Sequence, residues 1–346
     1  MSFIDFHLWH WCIVFVISAA AVFGTSKWLV SATGTIGDYT GLSKGFLGAV
    51  MLATATSLPE IFTGISAVTL TDSPDLATGT VFGSNLFNLL IIGVMELTIL
   101  GPSLLSSLSK PTKMSMILSG LLILAAIVLL ASLQSGDGYP PLLKDLATSI
   151  LIIMYASFLW LLHRAEEPEL SPLPEGSAQA RTSLARAIGI YGFSTLLIVF
   201  ASIGLSLAGE NIGILTGLSA GFIGSLLIAL STSLPEVATS FAALRIGSPD
   251  MAVSNMTGSN LFNTGIVLFT SDVAFQSTQN KHLLPSVSNS HLITAAAALV
   301  MTAIVTTEAY TRPGSRKRHG TFTVSAVALI IVFLVTQYWL FAHSGV

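Results

Sequence analysis

GLSKGFLGAVMLATATSLPE occupies residues 41–60, and GLSAGFIGSLLIALSTSLPE occupies residues 217–236. Twelve of the twenty positions are identical, at a constant offset of 176 residues. After a one-residue slip the match resumes. SPD recurs at 73–75 and 248–250, and GSNLFN at 83–88 and 258–263 without a mismatch. Chance does not easily produce two such matches at nearly one offset, so the chain reads as a duplicated unit.

The composition around these blocks points to a membrane. Of 346 residues, 52% are apolar and 9% charged, 14 Lys/Arg plus 17 Asp/Glu, with a mean hydropathy of +0.80. A soluble domain carries about 25% charged residues. This shortage excludes a soluble enzyme, a disordered chain and a nucleic-acid binder, which needs a basic face. Cys12 is the only cysteine, which excludes a disulfide scaffold. About 20 apolar residues cross a bilayer. Ten stretches qualify, roughly 9–33, 41–68, 76–100, 114–133, 142–163, 185–208, 217–243, 250–273, 289–310 and 321–342. The first lacks a positive leader region and an A-x-A site, so it reads as a retained helix rather than a signal peptide.

Ten spans put alternate loops on opposite sides. Lys27, Lys44, Lys110, Lys113, Arg164, Arg181, Arg186, Arg245, Arg312, Arg316, Lys317 and Arg318 gather on one side, and only Lys144 and Lys281 on the other. The positive-inside rule makes the first side cytoplasmic and puts both termini outside, in a multi-pass protein of the cell (inner) membrane. The polar stretch HRAEEPELSPLPEGSAQART at 163–182 reads as a linker. It separates repeat 1 (1–163, spans one to five, motif block 41–88) from repeat 2 (185–346, spans six to ten, motif block 217–263), with a cytoplasmic linker at 164–184. Five is odd, so the second copy enters the membrane from the opposite side. The expected fold is an all-α integral membrane protein, with ten transmembrane helices as two inverted-topology five-helix repeats. Secondary transporters are built this way, with sites near the midplane where the repeats meet.

Ionisable residues inside spans are functional hypotheses by default. Glu60 and Glu236 lie inside spans two and seven at equivalent positions. Helical spacing puts Ala53, Thr56, Ser57 and Glu60 on one face, and Ala229, Thr232, Ser233 and Glu236 on the matching face. Pro59 and Pro235 remove the hydrogen bonds to the carbonyls of Ala55 and Ser231. Such faces offer only oxygen ligands, the kind hard cations such as Ca2+ take. Two carboxylates match one divalent or two monovalent cations. Thr80, Ser84 and Asn88, and likewise Asn255, Ser259 and Asn263, form polar stripes expected to complete the shell. Asn85 and Asn260 lie off the stripes and are expected to hydrogen-bond between helices.

A lone membrane hydroxyl usually packs helices, and a lone proline usually only kinks one. Two glutamates with the same four-residue face outweigh that reading. Glu96, Asp272, Glu210 and Glu308 fall near span ends and are expected to be interfacial. No histidine pair suggests zinc, and no phosphate-binding loop suggests a pump driven by ATP. An intramembrane hydrolase would need a His or Lys partner for its serines within the spans, and the serines lack one. One geometric tension remains. With straight helices Glu60 and Glu236 would stand roughly 18 Å apart along the membrane normal. The helices are therefore expected to be broken or strongly tilted around Thr-Ser-Leu-Pro-Glu.

The paired TSLPE and GSNLFN segments resemble the α-repeats of the cation/Ca2+ exchanger superfamily, and are most similar to prokaryotic sodium/calcium exchangers. The resemblance implies a secondary antiporter, not an enzyme, that exports Ca2+ in exchange for Na+ without a cofactor. Its partners would be the lipid bilayer and the two ions. Glu60 and Glu236 would bind Ca2+ and share in Na+ coordination, with Thr56 and Thr232 as further Ca2+ ligands. Ser57, Ser233, Ser84 and Ser259 would surround Na+ positions, as would Ala53 and Ala229 through their carbonyls. Asn88 and Asn263 would fill the remaining central positions. Spans one and six would move as a gate across the other eight. The sequence departs from the usual family pattern at Ala55 and Ser231, where glycine is usual, and at Gly79–Thr80 and Ser254–Asn255, where Gly-Asn is usual. It departs again at Asn263, where some members carry Asp. The alternative is a Ca2+/H+ antiporter whose glutamates are neutralised by protonation. A reading from another class is a cation channel or a non-transporting membrane scaffold.

Overall fold

In hydrocarbon every backbone N–H and C=O must be satisfied within its own segment, so long apolar stretches become helices. The computed structural model describes residues 7–99, 103–134, 141–166, 183–216, 230–311 and 324–343, and within them all regular structure is helical. The helices are α1 (Leu8–Thr40), α2 (Lys44–Leu70), α3 (Pro74–Thr98), α4 (Lys110–Gln134), α5 (Pro141–Arg164), α6 (Leu184–Thr216) and α7 (Leu234–Arg245). Then come α8 (249–279), α9 (Ser290–Thr311) and α10 (Val324–His343). Eight of these (α1 to α6, α9 and α10) are long and apolar enough to cross a bilayer.

The other two expected spans fare differently. The first half of the seventh, 217–229, lies outside the described residues, as do most of the linker and Arg181, Arg312, Arg316, Lys317 and Arg318. The eighth is present as α8, a run of Pro249–Phe262, a π-helical Asn263–Val267 and Leu268–Gln279. Its hydroxyls and amides keep it off a hydropathy count, yet every residue from 251 to 265 is buried. A helix enclosed on all sides belongs to the core, and α8 is polar because it faces polar neighbours.

Helices α1 and α6 are 33 residues each. At 1.5 Å per residue that is about 50 Å, well beyond a hydrocarbon core of about 30 Å. They pack along one another, with Ser18 set against Gly204. Val22, Ala201, Leu205 and Ala238 form a small apolar cluster there, separate from the two larger cores. Val16, Ile17, Phe193, Leu196 and Phe200 point outward, each more than half exposed, as suits a lipid-facing surface.

Carboxylates at the helix ends tie one half of the chain to the other. At the start of α9, Asp75 Oδ1 accepts from the Ser288 N–H at 2.7 Å and lies 2.9 Å from His291 Nε2. At the start of α4, Asp250 Oδ1 accepts from the Ser109 N–H and the Thr112 hydroxyl, both at 2.7 Å. Each SPD aspartate thus caps a helix start in the opposite half. Glu166, at the start of the linker, caps α2 by accepting from the Ser43 N–H and hydroxyl at 2.8 and 2.7 Å.

Glu96, Asp272 and Glu308, expected near span ends, are all buried against protein. The Glu96 carboxylate accepts from the Leu104 N–H at 2.7 Å. Asp272 accepts from the Leu283 N–H and the Thr148 hydroxyl, both at 2.6 Å. Near a helix end, unpaired backbone N–H groups of the next turn satisfy a carboxylate as well as water does. The side chain of Glu210 lies outside the described residues.

Helices α2 and α8 cross at backbone contact. A Cβ placed on Gly258 would fall on the backbone of Ala49, and one on Gly48 would meet Ser254 and Met251. Only glycine permits that approach. Gly258→Ala is therefore expected to destabilise the protein by about 1–3 kcal/mol, the cost of overpacking a full core. Gly24→Ala, where no atom lies within 4 Å of the added carbon, is expected to be neutral. Thermal denaturation of the two purified variants in detergent measures the difference.

Candidate ion-binding site

The two Thr-Ser-Leu-Pro-Glu segments have the same sequence and different backbones. In the second copy the chain leaves helical geometry at Ser233 (φ −86°, ψ 2°), and α7 starts afresh at Leu234 with Pro235 in its first turn. Proline fits there because the first N–H groups of a helix have no partner to lose. Glu236 consequently stands in the first turn of α7, where the positive end of the helix dipole favours a carboxylate. The break expected from the geometry is present here.

In the first copy it is absent. The helix runs unbroken from Ala53 to Leu70 with Pro59 inside it, and the irregularity lies upstream, as a π-helical turn at Leu47–Leu52. The Ala53 N–H reaches back to the Gly48 carbonyl, five residues away. A second π turn starts at Asn263 on α8. Each π turn abuts a candidate ligand, Ala53 in one case and Asn263 in the other. Such bulges concentrate at functional sites. The residue pattern gives no signal for them beyond the glycines, Gly48 and Gly265, that they contain.

These distortions bring the two halves together. Ser57, one turn before Glu60, donates its hydroxyl to Glu236 Oε1 at 2.9 Å. The side chains of Thr56 and Ser259 lie against the same carboxylate. Glu60 is close enough to Glu236 for their charges to act on each other. Ser233 donates to the Ser84 hydroxyl at 3.1 Å. Of the twelve candidate residues, Ala229 lies outside the described residues. The other eleven (Ala53, Thr56, Ser57, Glu60, Ser84, Asn88, Thr232, Ser233, Glu236, Ser259 and Asn263) are all buried.

The asparagines knit α3 to α8. Asn88 Nδ2 donates to Asn260 Oδ1 at 2.9 Å, Asn85 Nδ2 to the Thr264 hydroxyl at 2.8 Å, and Asn260 Nδ2 to the Asn85 carbonyl at 3.3 Å. The interhelical role expected of Asn85 and Asn260 is what the structure has. Two stripe members leave the shell. Thr80 donates to the Leu76 carbonyl at 2.9 Å. Asn255 turns its amide to the hydroxyls of Thr239 and Ser240, at 3.0 and 2.9 Å, and so locks α7 onto α8. Thr239 and Ser240 escaped the sequence reading because nothing in their spacing sets them apart from packing residues.

The balance of donors and acceptors defines what the site lacks. Among its donors, the Ser57 hydroxyl and the amide of Asn88 are taken up by protein oxygens, whereas the Asn263 amide nitrogen and the Ser259 hydroxyl have no hydrogen-bond partner. Five acceptor oxygens have no hydrogen-bond partner: both of Glu60, Oε2 of Glu236, and the amide oxygens of Asn88 and Asn263. A buried acceptor without a donor costs free energy, most of all when it carries charge. An oxygen-rich cluster with two carboxylates fits a hard cation, which takes six to eight oxygens when it is Ca2+. Among the described residues, no group of three or more His, Cys, Asp or Glu forms a rival metal site.

The sequence model described as sodium/calcium exchanger protein matches residues 10–163 and 186–342. Inner membrane protein YrbG of Escherichia coli is 27% identical over 238 residues, covering 66% of this chain and 69% of its own. Uncharacterized membrane protein MJ0091 of Methanocaldococcus jannaschii is 25% identical over 261 residues, covering 72% and 78%. Among solved structures, the sodium-calcium exchanger NCX_Mj, soaked with Na+ and Sr2+, superposes with a TM-score of 0.73 at 19% identity, over 95% of this chain and 98% of its own. At that identity the likeness is one of fold.

Ca2+ should stabilise the wild-type chain by mass action, about 2.7 kcal/mol at a hundredfold excess over Kd. Glu60→Gln and Glu236→Gln are expected to lose that stabilisation. Ser57→Ala removes a donor and no charge, so it should retain the effect at roughly tenfold higher Ca2+. Melting curves across a Ca2+ titration separate the three variants.

Proposed function

The chain belongs to the sodium/calcium exchanger protein family, and we propose on that premise that it is a secondary antiporter exporting Ca2+ in exchange for Na+ by alternating access. Members of the family are transporters rather than enzymes, and the chain is an integral, multi-pass membrane protein. The observation that carries the proposal is the surplus of buried acceptor oxygens shared by Glu60 and Glu236.

Exchange follows from that surplus. Two carboxylates in a low-dielectric site are costly unless compensated. One Ca2+ compensates both, and so does a pair of monovalent cations using overlapping oxygens. Binding of one ion species therefore excludes the other, and the loaded site crosses without bare charge. In this reading Ca2+ is held by Glu60, Glu236, Thr56 and Thr232. Na+ uses the glutamates with Ser57, Ser233, Ser84, Ser259 and the carbonyls of Ala53 and Ala229. Asn88 and Asn263 supply neutral oxygens at the centre.

The reading includes a topology. Ten spans form two inverted repeats, 1–163 and 185–346, in the inner membrane with both termini outside. The 176-residue spacing of the starts of α1 and α6, 8 to 184, supports the duplication. So does the pairing of the Asp75 and Asp250 caps. The gate is the pair α1 and α6, which pack along one another for much of their length.

Uptake of radioactive Ca2+ into everted membrane vesicles tests the proposal. An outward Na+ gradient, from vesicle lumen to bath, is expected to drive uptake. Glu60→Gln and Glu236→Gln should each lower it by about 100-fold or more, the scale of breaking a buried charge compensation. Uptake driven by a pH gradient alone would replace Na+ by H+ as the counter-ion. Uptake under neither gradient would overturn the antiporter.

A further inference from the structure

The gate and the site meet at one tyrosine. Tyr191 lies on α6 with its ring half-buried against the core around α2. Its hydroxyl donates to the Met51 carbonyl at 3.0 Å. Met51 belongs to the π turn Leu47–Leu52, two residues before Ala53 and five before Thr56. Thr54, three residues on, lies against the hydroxyl of Tyr155 from α5. Residues 51–54 of the site helix are thus held by two phenols, one on a helix assigned to the gate and one on a helix outside it.

The chemistry of a π turn makes this position consequential. It holds one residue more than an α turn, and one residue corresponds to about 100° of helical rotation. Keeping or losing the extra residue decides where the Ala53 carbonyl and the Thr56–Ser57 face are aimed. The bond is also one-sided. At the 176-residue offset relating α6 to α1, the counterpart of Tyr191 is Phe15, which has no hydroxyl to donate.

We propose that Tyr191 is a positioning residue for ion exchange: its hydroxyl latches α6 to the π turn of α2 in one gate position and releases it in the other, coupling gate movement to the aim of the site oxygens. The proposal rests on the antiporter reading above and adds a residue that touches no ion. A latch present in a single gate position biases the gate equilibrium. The apparent affinity seen from each face of the membrane scales with the population of the state open to that face.

The test is Tyr191→Phe, which removes the hydroxyl and keeps the ring. Half-saturating Ca2+ for Na+-driven exchange is measured on right-side-out and on everted vesicles. The two values are expected to move in opposite directions, changing their ratio by about three- to tenfold, the weight of one hydrogen bond. A structural defect in packing would lower the rate from both faces and leave the ratio alone, so an unchanged ratio overturns the latch. Should Tyr191→Phe not fold, Tyr191→Met, unbranched and apolar, serves the same comparison. A gate readout comes from the single native cysteine, the exposed Cys12 on α1. Spin labels at Cys12 and at Val300→Cys on α9 report two gate distances. Tyr191→Phe is expected to shift their populations by the same factor, and equal populations in both proteins overturn the proposal. If the wild type itself exchanges no Ca2+ under either gradient, it is the antiporter reading that has failed.

Discussion

Two carboxylates buried within reach of each other, in a cluster with more acceptors than donors, form the constraint on which the rest of the structure depends. Among the described residues neither Glu60 nor Glu236 has a basic partner, and of their four carboxylate oxygens only Glu236 Oε1 accepts a hydrogen bond, from Ser57. In a low-dielectric interior such an arrangement is stable only when positive charge enters it. The need for a cation is therefore built into the resting architecture, and binding and translocation become one problem.

The scaffold reads as a means of assembling that cluster from distant parts of the chain. Helices α3 and α8 carry asparagines on enclosed faces, so their amides face each other rather than lipid. Gly48 and Gly258 let α2 and α8 cross at backbone distance. The π turns and the break at Ser233 supply the axial shift that straight helices would not allow. Carboxylate caps at the loops, Asp75, Asp250, Glu96 and Asp272, fix the helices around the centre without placing further charge in it.

Much of this was legible in the residues because it is local or periodic. The shared face of Ala53, Thr56, Ser57 and Glu60 follows from helical spacing, and the duplication of that face follows from direct comparison. What was not legible depends on context. Thr-Ser-Leu-Pro-Glu occurs twice without change, yet it is a continuous helix at 56–60 and a helix start at 232–236. Proline permits both, since it lacks the N–H that an interior turn would use and a first turn would not, so tertiary packing chooses. The π turns are likewise products of the crossing with α8 and of contacts from α5 and α6. Glu96 and Asp272 sit at span ends as their positions imply. Their inward turn depends on the N–H groups of Leu104 and Leu283, which no one-dimensional pattern reveals. Asn255 shares a stripe with Ser259 and Asn263 and still turns toward α7, because Thr239 and Ser240 offer it partners.

The central claim is that Glu60 and Glu236 share one cation. Diffraction from crystals soaked in an anomalously scattering divalent ion such as Sr2+ addresses it directly. One anomalous peak is expected, within about 2.3–2.6 Å of carboxylate oxygens from both glutamates once refined with Ca2+. Two peaks, each on its own carboxylate, or a peak remote from both, would contradict it.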